Sequence, residues 1–159
     1  MLHRTPFPAV SLAFLLLLAL TAPLSLTAQT RPAEDGMEVT LRSDIEWTDL
    51  NIPGLDSGLK LAVIYGNPAE PGAPYVIRLI LPHGYRFPVH YHPMSEHVTV
   101  LAGTFLLGMG DKENEDALVS YGMGDFLYIP ARDLHFARSK GQTMLQAHGV
   151  GPFDTVLVK

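Results

Sequence analysis

The chain contains no cysteine. It therefore forms no disulfide, and it offers no thiol for a lipid anchor, so disulfide-built scaffolds and lipoproteins are excluded. The absence is compatible with an oxidising compartment but does not identify one, because many cytosolic proteins also lack cysteine.

Basic residues are also scarce. The chain has 11 Lys and Arg against 16 Asp and Glu, which gives a formal net charge of −5 with neutral histidines. No cluster of basic residues interrupts this balance, whereas nucleic-acid-binding domains carry a basic patch or stripe. A nucleic-acid partner is therefore not expected.

Long apolar runs are confined to the N-terminal region. Residues 9–20 form an apolar block that is followed by small and polar residues up to Ala28. The block is too short for a comfortable membrane span, and this order is typical of a secretory signal peptide, with a retained anchor as the alternative. We predict a signal peptide over residues 1–28, a periplasmic or secreted protein, and no membrane association after cleavage.

The rest of the chain has the length of one domain, and no segment of it sustains a helical period. We predict an N-terminal lead-in over residues 29–58 and one folded domain over residues 59–158. Short segments rich in β-branched and aromatic residues predict strands at 60–65, 75–81, 89–92, 97–101, 104–109, 126–129, 134–139, 143–150 and 155–158.

Glycine and proline separate these segments. The chain has 14 Gly and 13 Pro, and they mark turns such as Ala102-Gly103 and Lys140-Gly141. Short strands at nearly regular spacing favour a sandwich or a small barrel over an open sheet. The charged segment 111–116 predicts a solvated loop tip or the start of a short helical turn.

One motif has the spacing of metal ligands. His90 and His92 are two residues apart, Glu96 follows four residues later, and Gly84 and Gly103 bracket the group. In an extended chain, residues two apart point to the same face, so both imidazoles can reach one ion. The turn-prone segment 93–95 lets Glu96 return to the same point.

A fourth ligand is expected from elsewhere in the fold, and His135 is the best candidate. It follows a glycine turn, a buried strand and a proline turn, at the start of the next predicted strand. Three imidazoles and one carboxylate suit Zn, Cu, Fe, Mn or Ni and disfavour Ca or Mg. The predicted cofactor is therefore a divalent transition metal.

Together the two motifs resemble those of the cupin superfamily. The first motif has the expected residue at Gly84, His90, His92, Glu96 and Gly103. The second keeps Gly124, Pro130 and His135, but it has Arg132 where glycine is common and Ser139 where asparagine is common. These two departures concern the local turn and one polar group expected to line the cavity.

The resemblance implies an all-β double-stranded β-helix, that is, a jelly-roll barrel. It also implies that His90, His92, Glu96 and His135 hold a divalent metal inside the barrel. Because such barrels commonly pair through edge strands, a homodimer is a further expectation.

The other histidines are weaker candidates. His97 follows Glu96 and so points to the opposite face, while His83 lies in a turn and is expected to be solvated. His148 shares one face of its strand with Met144 and Gln146. If that face lines the barrel, His148 is a polar contact near the site rather than a ligand.

Two functions remain open at this point. The first is an enzyme, dioxygenase-like or isomerase-like as the family suggests, that acts on an oxygen-bearing small molecule. In that case Glu96 is either a ligand or a detached catalytic base. The alternative is a non-catalytic cupin that binds a metal or small ligand for sensing or storage.

Overall fold

The computed structural model describes residues 36–158, so the predicted signal peptide lies outside the described residues. From Glu38 onward the chain forms one compact unit of strands with two short 3-10 turns, Arg42–Asp44 and Glu115–Ala117. The strands are β1 (Thr48–Asp49), β2 (Lys60–Gly66), β3 (Pro74–Leu81), β4 (Arg86–Tyr91), β5 (Glu96–Met109), β6 (Val119–Gly122), β7 (Phe126–Ile129), β8 (His135–Val150) and β9 (Val156–Leu157).

The two long strands, β5 and β8, organise the fold. They pair antiparallel along almost their whole length and shift register near residues 100–104. On one side of this shift β8 also pairs with β3 and β5 with β7, whereas on the other side β8 pairs with β4 and β5 with β6. One hydrogen-bonded system thus curls into two layers, which confirms the predicted all-β jelly roll.

Gly103 forms the corner of β5. Its φ of +77° lies in the left-handed region, and a Cβ there would come within 2.3 Å of the Gln142 carbonyl oxygen. Only glycine fits such a close backbone approach. Gly141 lies at the corresponding bend of β8 with a φ of +78°.

These corners correct the strand boundaries predicted from the sequence. Four segments, 97–101, 104–109, 134–139 and 143–150, were predicted as separate strands, but they form only two, β5 and β8. Glycine supplies the same positive φ to a chain reversal and to a β-bulge, so the sequence pattern does not distinguish the two.

The barrel interior is filled by alternate residues of these strands. Tyr75, Ile77, Leu79 and Leu81 are the buried members of β3, and the residues between them are partly exposed. The same period of two places the buried side chains of β5 and β8 against them, as expected for strands with one face on a core.

Two short strands, β1 and β6, were not predicted. Each has four residues or fewer and pairs on one side only, with β2 and with β5 respectively, so neither has a hydrophobic pattern long enough to detect. Among residues 36–158, no helix has the length and apolar character needed to cross a membrane.

Candidate metal centre

Four side chains singled out by the sequence meet in the barrel interior. His90 lies near the end of β4, His92 just beyond it, and Glu96 and His135 are the first residues of β5 and β8. His90 and His135 face each other as partners on neighbouring strands. All four are at least 93 % buried, because their exposed fractions are between 2 % and 7 %.

The three histidines form a group that could hold a metal ion. Each offers one ring nitrogen, and these nitrogens all lie within 4.8 Å of one another. Glu96 lies beside this group, with its Oε2 atom 3.4 Å from His92 Nε2. Glu96 is not part of the set in which every donor atom is within 4.8 Å of every other.

Each imidazole is held by a backbone carbonyl at its other nitrogen. The Nδ1 atoms of His90, His92 and His135 lie 2.6, 2.7 and 2.9 Å from the carbonyl oxygens of Pro88, Asp154 and Asp133. A carbonyl only accepts, so each Nδ1 carries the proton and donates it. Each Nε2 therefore has a free lone pair, which is the arrangement that supports metal-ligating histidines.

Burial keeps these imidazoles neutral. Burial, together with the neighbouring His135, lowers the pKa of His90 to about 3. Burial likewise lowers the pKa of His135 to about 4, and it lowers the pKa of His92. At neutral pH all three rings are therefore unprotonated at Nε2, as a metal ligand must be.

The carboxyl group of Glu96 is perturbed in the opposite direction. Burial raises its pKa to about 7, an effect that His97 partly opposes. The only cationic or imidazole group within 4.0 Å of this carboxyl among the described residues is His92. A divalent cation at the centre would supply the missing positive charge and favour the carboxylate form.

The histidine group and Glu96 line a pocket in the barrel interior. The cavity volume is about 50 Å³, within a wider empty space of about 580 Å³ that includes open solvent. Its walls come from strands of both layers and from the segments around Ile52 and Phe153. Ile52 belongs to the segment interpreted as a lead-in, and it contributes a side chain to the pocket wall.

Sequence reasoning missed the groups that support the histidines. Pro88 and Asp133 each stand two residues before the histidine they hold, so a local pattern exists for them. Asp154 is 62 residues from His92, and the Phe153 ring stacks on His92 at 5.1 Å and 20°. No local signal in the sequence indicates these two contacts, because they depend on how the chain returns after β8.

The structure corrects the interpretation of His148. The buried residues of its strand segment are Leu145 and Ala147, which line the pocket, so Gln146 and His148 point to the outer face. There the His148 ring stacks on His97, with centroids 4.9 Å apart and an interplanar angle of 14°. The face shared by Met144, Gln146 and His148 therefore does not line the barrel.

The two departures from the family pattern have structural consequences. Arg132 adopts a φ of +66°, which a side chain disfavours, while its amide donates to the His92 carbonyl at 2.9 Å. Ser139 is buried and accepts a hydrogen bond from the Tyr85 amide at 2.9 Å. Its hydroxyl also donates to Pro82, so Ser139 ties β8 to the β3–β4 turn rather than lining the pocket.

Comparison with known proteins identifies the fold family. A family model described as the cupin domain matches residues 77–150, a range that contains all four candidate ligands. A comparison with curated proteins finds no match.

Solved structures of similar fold include the polyketide cyclase RemF from Streptomyces resistomycificus. The two share 17 % identity at a TM-score of 0.64, over 77 % of this chain and 86 % of that chain. A protein proposed as an acetylacetone dioxygenase from Methylibium petroleiphilum PM1 has 14 % identity and a TM-score of 0.61, over 81 % and 85 %. An RmlC-like cupin from Shewanella frigidimarina NCIMB 400 has 19 % identity and a TM-score of 0.54, over 70 % and 88 %. The matching family model and the jelly-roll architecture identify residues 77–150 as a domain of the cupin superfamily.

Proposed function

We propose that this cupin holds a divalent transition metal through His90, His92, His135 and Glu96, and that it acts on an oxygen-bearing small molecule in a dioxygenase-like or isomerase-like reaction. The observation that carries the proposal is the arrangement of the three imidazoles. All three Nδ1 atoms face backbone carbonyls, and the three ligand nitrogens converge inside one pocket.

The donor set fits a transition metal. Neutral imidazoles bind Zn, Cu, Fe, Mn or Ni well, whereas Ca and Mg prefer sites built from oxygen alone. The buried carboxyl of Glu96 adds one anionic donor beside His92. When bound, such a metal supplies a Lewis acid or a redox centre for a coordinated oxygen group.

The protein side chains supply the remaining chemistry. Glu96 stands beside the histidine group rather than within it, and burial raises its pKa to about 7. A divalent cation at the centre would favour its carboxylate form, so Glu96 would then be available as a base that accepts a proton. Glu96 therefore either serves as a ligand or transfers a proton to or from a bound molecule, as an isomerase-like reaction requires.

The pocket supports a role with a small molecule over metal storage alone. Its lining joins the histidine group and Glu96 to partly exposed side chains such as Ile52 and Phe153, so a molecule can approach the centre from solvent. Two proteins of similar fold are named a polyketide cyclase and a proposed acetylacetone dioxygenase. At 17 % and 14 % identity, these names illustrate what the fold hosts and assign no reaction to this chain.

Metal analysis and activity assays test the proposal directly. Protein purified from its native cells should contain about one equivalent of a transition metal, which elemental analysis would detect. The protein loaded with that metal should turn over a compound from an oxygenase, isomerase or hydrolase panel, and His92→Ala should abolish this. His148→Ala is the matched control, because it removes a histidine from the outer face.

The same preparation separates an enzyme from a binder. An enzyme should keep exchangeable water on the metal, which water-proton relaxation detects with a paramagnetic ion such as Mn(II) or Cu(II). A closed coordination sphere with no turnover across the panels would contradict the catalytic proposal and favour the binding role. If the purified protein neither contains nor takes up a metal, the proposed function is wrong.

We also propose that the protein is exported, and that it forms a homodimer. Support for export is the order of residues 1–28, with an apolar block before small and polar residues. Cell fractionation with mass determination of the mature chain tests it, and a cytoplasmic protein of full length would contradict it. Sedimentation at several concentrations tests the dimer.

A further inference from the structure

We propose that the pocket selects an uncharged, largely apolar molecule, aromatic or branched aliphatic, that presents its oxygen group to the three histidines. The position of the oxygen group rests on the proposed function. The preference for an apolar body does not, because it follows from the pocket wall alone.

The wall has almost no polar groups. Apart from the four proposed ligands, every described side chain that lines the pocket is apolar except Thr155. The interior part includes Val98, Phe105 and Leu145, which are at least 95 % buried. An apolar ligand body gains affinity against such a wall by leaving water.

A polyhydroxylated ligand has few partners in this pocket. Besides the ligand set, Thr155 is the only lining residue in the described part of the chain whose side chain can form a hydrogen bond with it. Each further buried hydroxyl group would lose its water without replacement, which lowers affinity by roughly tenfold. A sugar-like substrate is therefore disfavoured.

A second charged group on the ligand is disfavoured for a related reason. Among residues 36–158 no Lys or Arg lines the pocket, and the one charged lining residue in that range, Glu96, belongs to the proposed ligand set. A carboxylate at the far end of a ligand would be buried without a counter-charge. The pocket therefore disfavours ligands with an additional anionic group as well as polyhydroxylated ligands.

The mouth of the pocket has the same character. The lining residues that remain partly exposed are Leu50, Ile52, Phe87, Phe153 and Thr155. The two phenylalanines also contact the histidine group, since Phe153 stacks on His92 and the Phe87 ring lies 5.6 Å from that of His90. An entering ligand thus passes aromatic faces before it reaches the site.

A series of hydroxamic acids tests this selectivity, because all members share one zinc-binding head and differ only in the body. With the Zn(II)-loaded protein, calorimetry should show that benzohydroxamic acid binds at least tenfold tighter than acetohydroxamic acid. 4-Carboxybenzohydroxamic acid should lose at least tenfold relative to benzohydroxamic acid, and gluconohydroxamic acid should bind no tighter than acetohydroxamic acid. Equal affinities within twofold, or tightest binding of the charged or polyhydroxylated member, would overturn the inference.

A metal-free measurement separates this inference from the proposed function. The protein without metal should bind 2-naphthol measurably by calorimetry and should show no binding of mannitol. If zinc fails to bind, the proposed function is wrong. The comparison of 2-naphthol with mannitol still tests whether the pocket prefers an apolar ligand. Absence of any preference for 2-naphthol over mannitol would overturn the inference.

One substitution at the mouth should weaken the selection against a negatively charged ligand. Ile52 is partly exposed and lines the pocket, so Ile52→Lys can place an ammonium group at the entrance without opening the core. It should raise the affinity for 4-carboxybenzohydroxamic acid relative to benzohydroxamic acid by about tenfold. The control Val63→Lys adds the same charge at a residue that does not line the pocket, and it should leave the ratio unchanged. An equal shift in both variants would contradict the proposed entrance.

Discussion

One group of histidines lies inside the barrel, and a second group lies on its outer face. Inside, ring centroids of His90, His92 and His135 are 4.2 to 5.2 Å apart. Outside, His97 and His148 are 4.9 Å apart, so ring proximity alone does not distinguish the groups. The difference is in the support of each ring.

The inner rings are buried and each is fixed by a short hydrogen bond to a carbonyl. The outer rings are partly exposed and stack nearly parallel, and the Nδ1 atom of His97 is 3.3 Å from the His148 carbonyl oxygen. A metal site requires lone pairs that converge and tautomers that are fixed. Only the inner group has both properties.

Removal of one imidazole from each group should give the largest difference in metal affinity. His135→Ala deletes one of three converging nitrogens, so we expect metal affinity to fall roughly a hundredfold or more. His148→Ala should change it less than twofold. Competition titration against a chelator of known affinity measures both. Comparable losses in the two variants would remove the distinction between inner and outer histidines.

Acid should change the folding stability of the metal-free protein through the inner histidines and Glu96. The pKa values of His90 and His135 fall from 6.5 to about 3 and 4 on folding, so their contribution to stability is present above pH 6.5 and is lost as pH falls towards 4. Glu96 acts with the opposite sign, since its raised pKa of about 7 gives stability below pH 4.5 that is lost as pH rises through 7.

The two contributions partly cancel between pH 6.5 and 4.5, and the unfolding free energy should fall by about 2 kcal/mol. Glu96→Gln removes the opposing contribution, so this variant should lose stability more steeply over the same range. Urea denaturation of the metal-free protein at several pH values measures both slopes. A flatter pH dependence in the variant would show that the assigned signs are wrong.

Removal of a stacked phenylalanine should lower metal affinity only where that ring packs on an inner histidine. Phe153 stacks on His92 at 20°, and Phe126 stacks on His97 at 30°. Phe153→Ala should lower metal affinity by about tenfold, because His92 loses a contact that orients its ring. Phe126→Ala should leave metal affinity unchanged. Titration with Zn(II) compares the variants, and an equal effect of both would mean that stacking does not position His92.

The smallest expected effect concerns the turn that supports His92. Arg132 holds a positive φ and its amide donates to the His92 carbonyl, so Arg132→Gly relieves strain while the hydrogen bond remains. We expect a gain in unfolding free energy of about 0.5 to 1 kcal/mol. Ala131→Gly, at the neighbouring residue, should destabilise instead. Thermal unfolding measures both, and destabilisation by Arg132→Gly would contradict the strain.

The sequence predicted more of the site than of the fold's details. The even spacing of His90, His92 and Glu96 is a local property of extended chain, and His135 begins a strand after two turn signals. The position of the bends was not predictable in the same way. The local sequence around Gly103 and Gly141 is typical of turns. These glycines become corners of continuous strands because β5 pairs with β8 on both sides of them.

The position of His148 could have been predicted by comparing the two faces of its strand. Its strand face contains Met144 and Gln146, whereas the alternate face contains Leu145 and Ala147, which are buried. The more apolar face belongs in the core, and that rule assigns His148 to the outside. The stacking on His97 depends on the register between β5 and β8, which the sequence does not specify.

The amino-acid sequence by itself determined the all-β class and the candidate ligand types, because side-chain alternation and turn chemistry act over a few residues. It did not determine which nitrogen of His92 faces the centre. That was decided by the tertiary structure, since the Asp154 carbonyl and the Phe153 ring reach His92 only when the chain returns after β8. The apolar pocket was decided in the same way, because its wall is assembled from strands that are distant in the chain and meet only when the sheet closes.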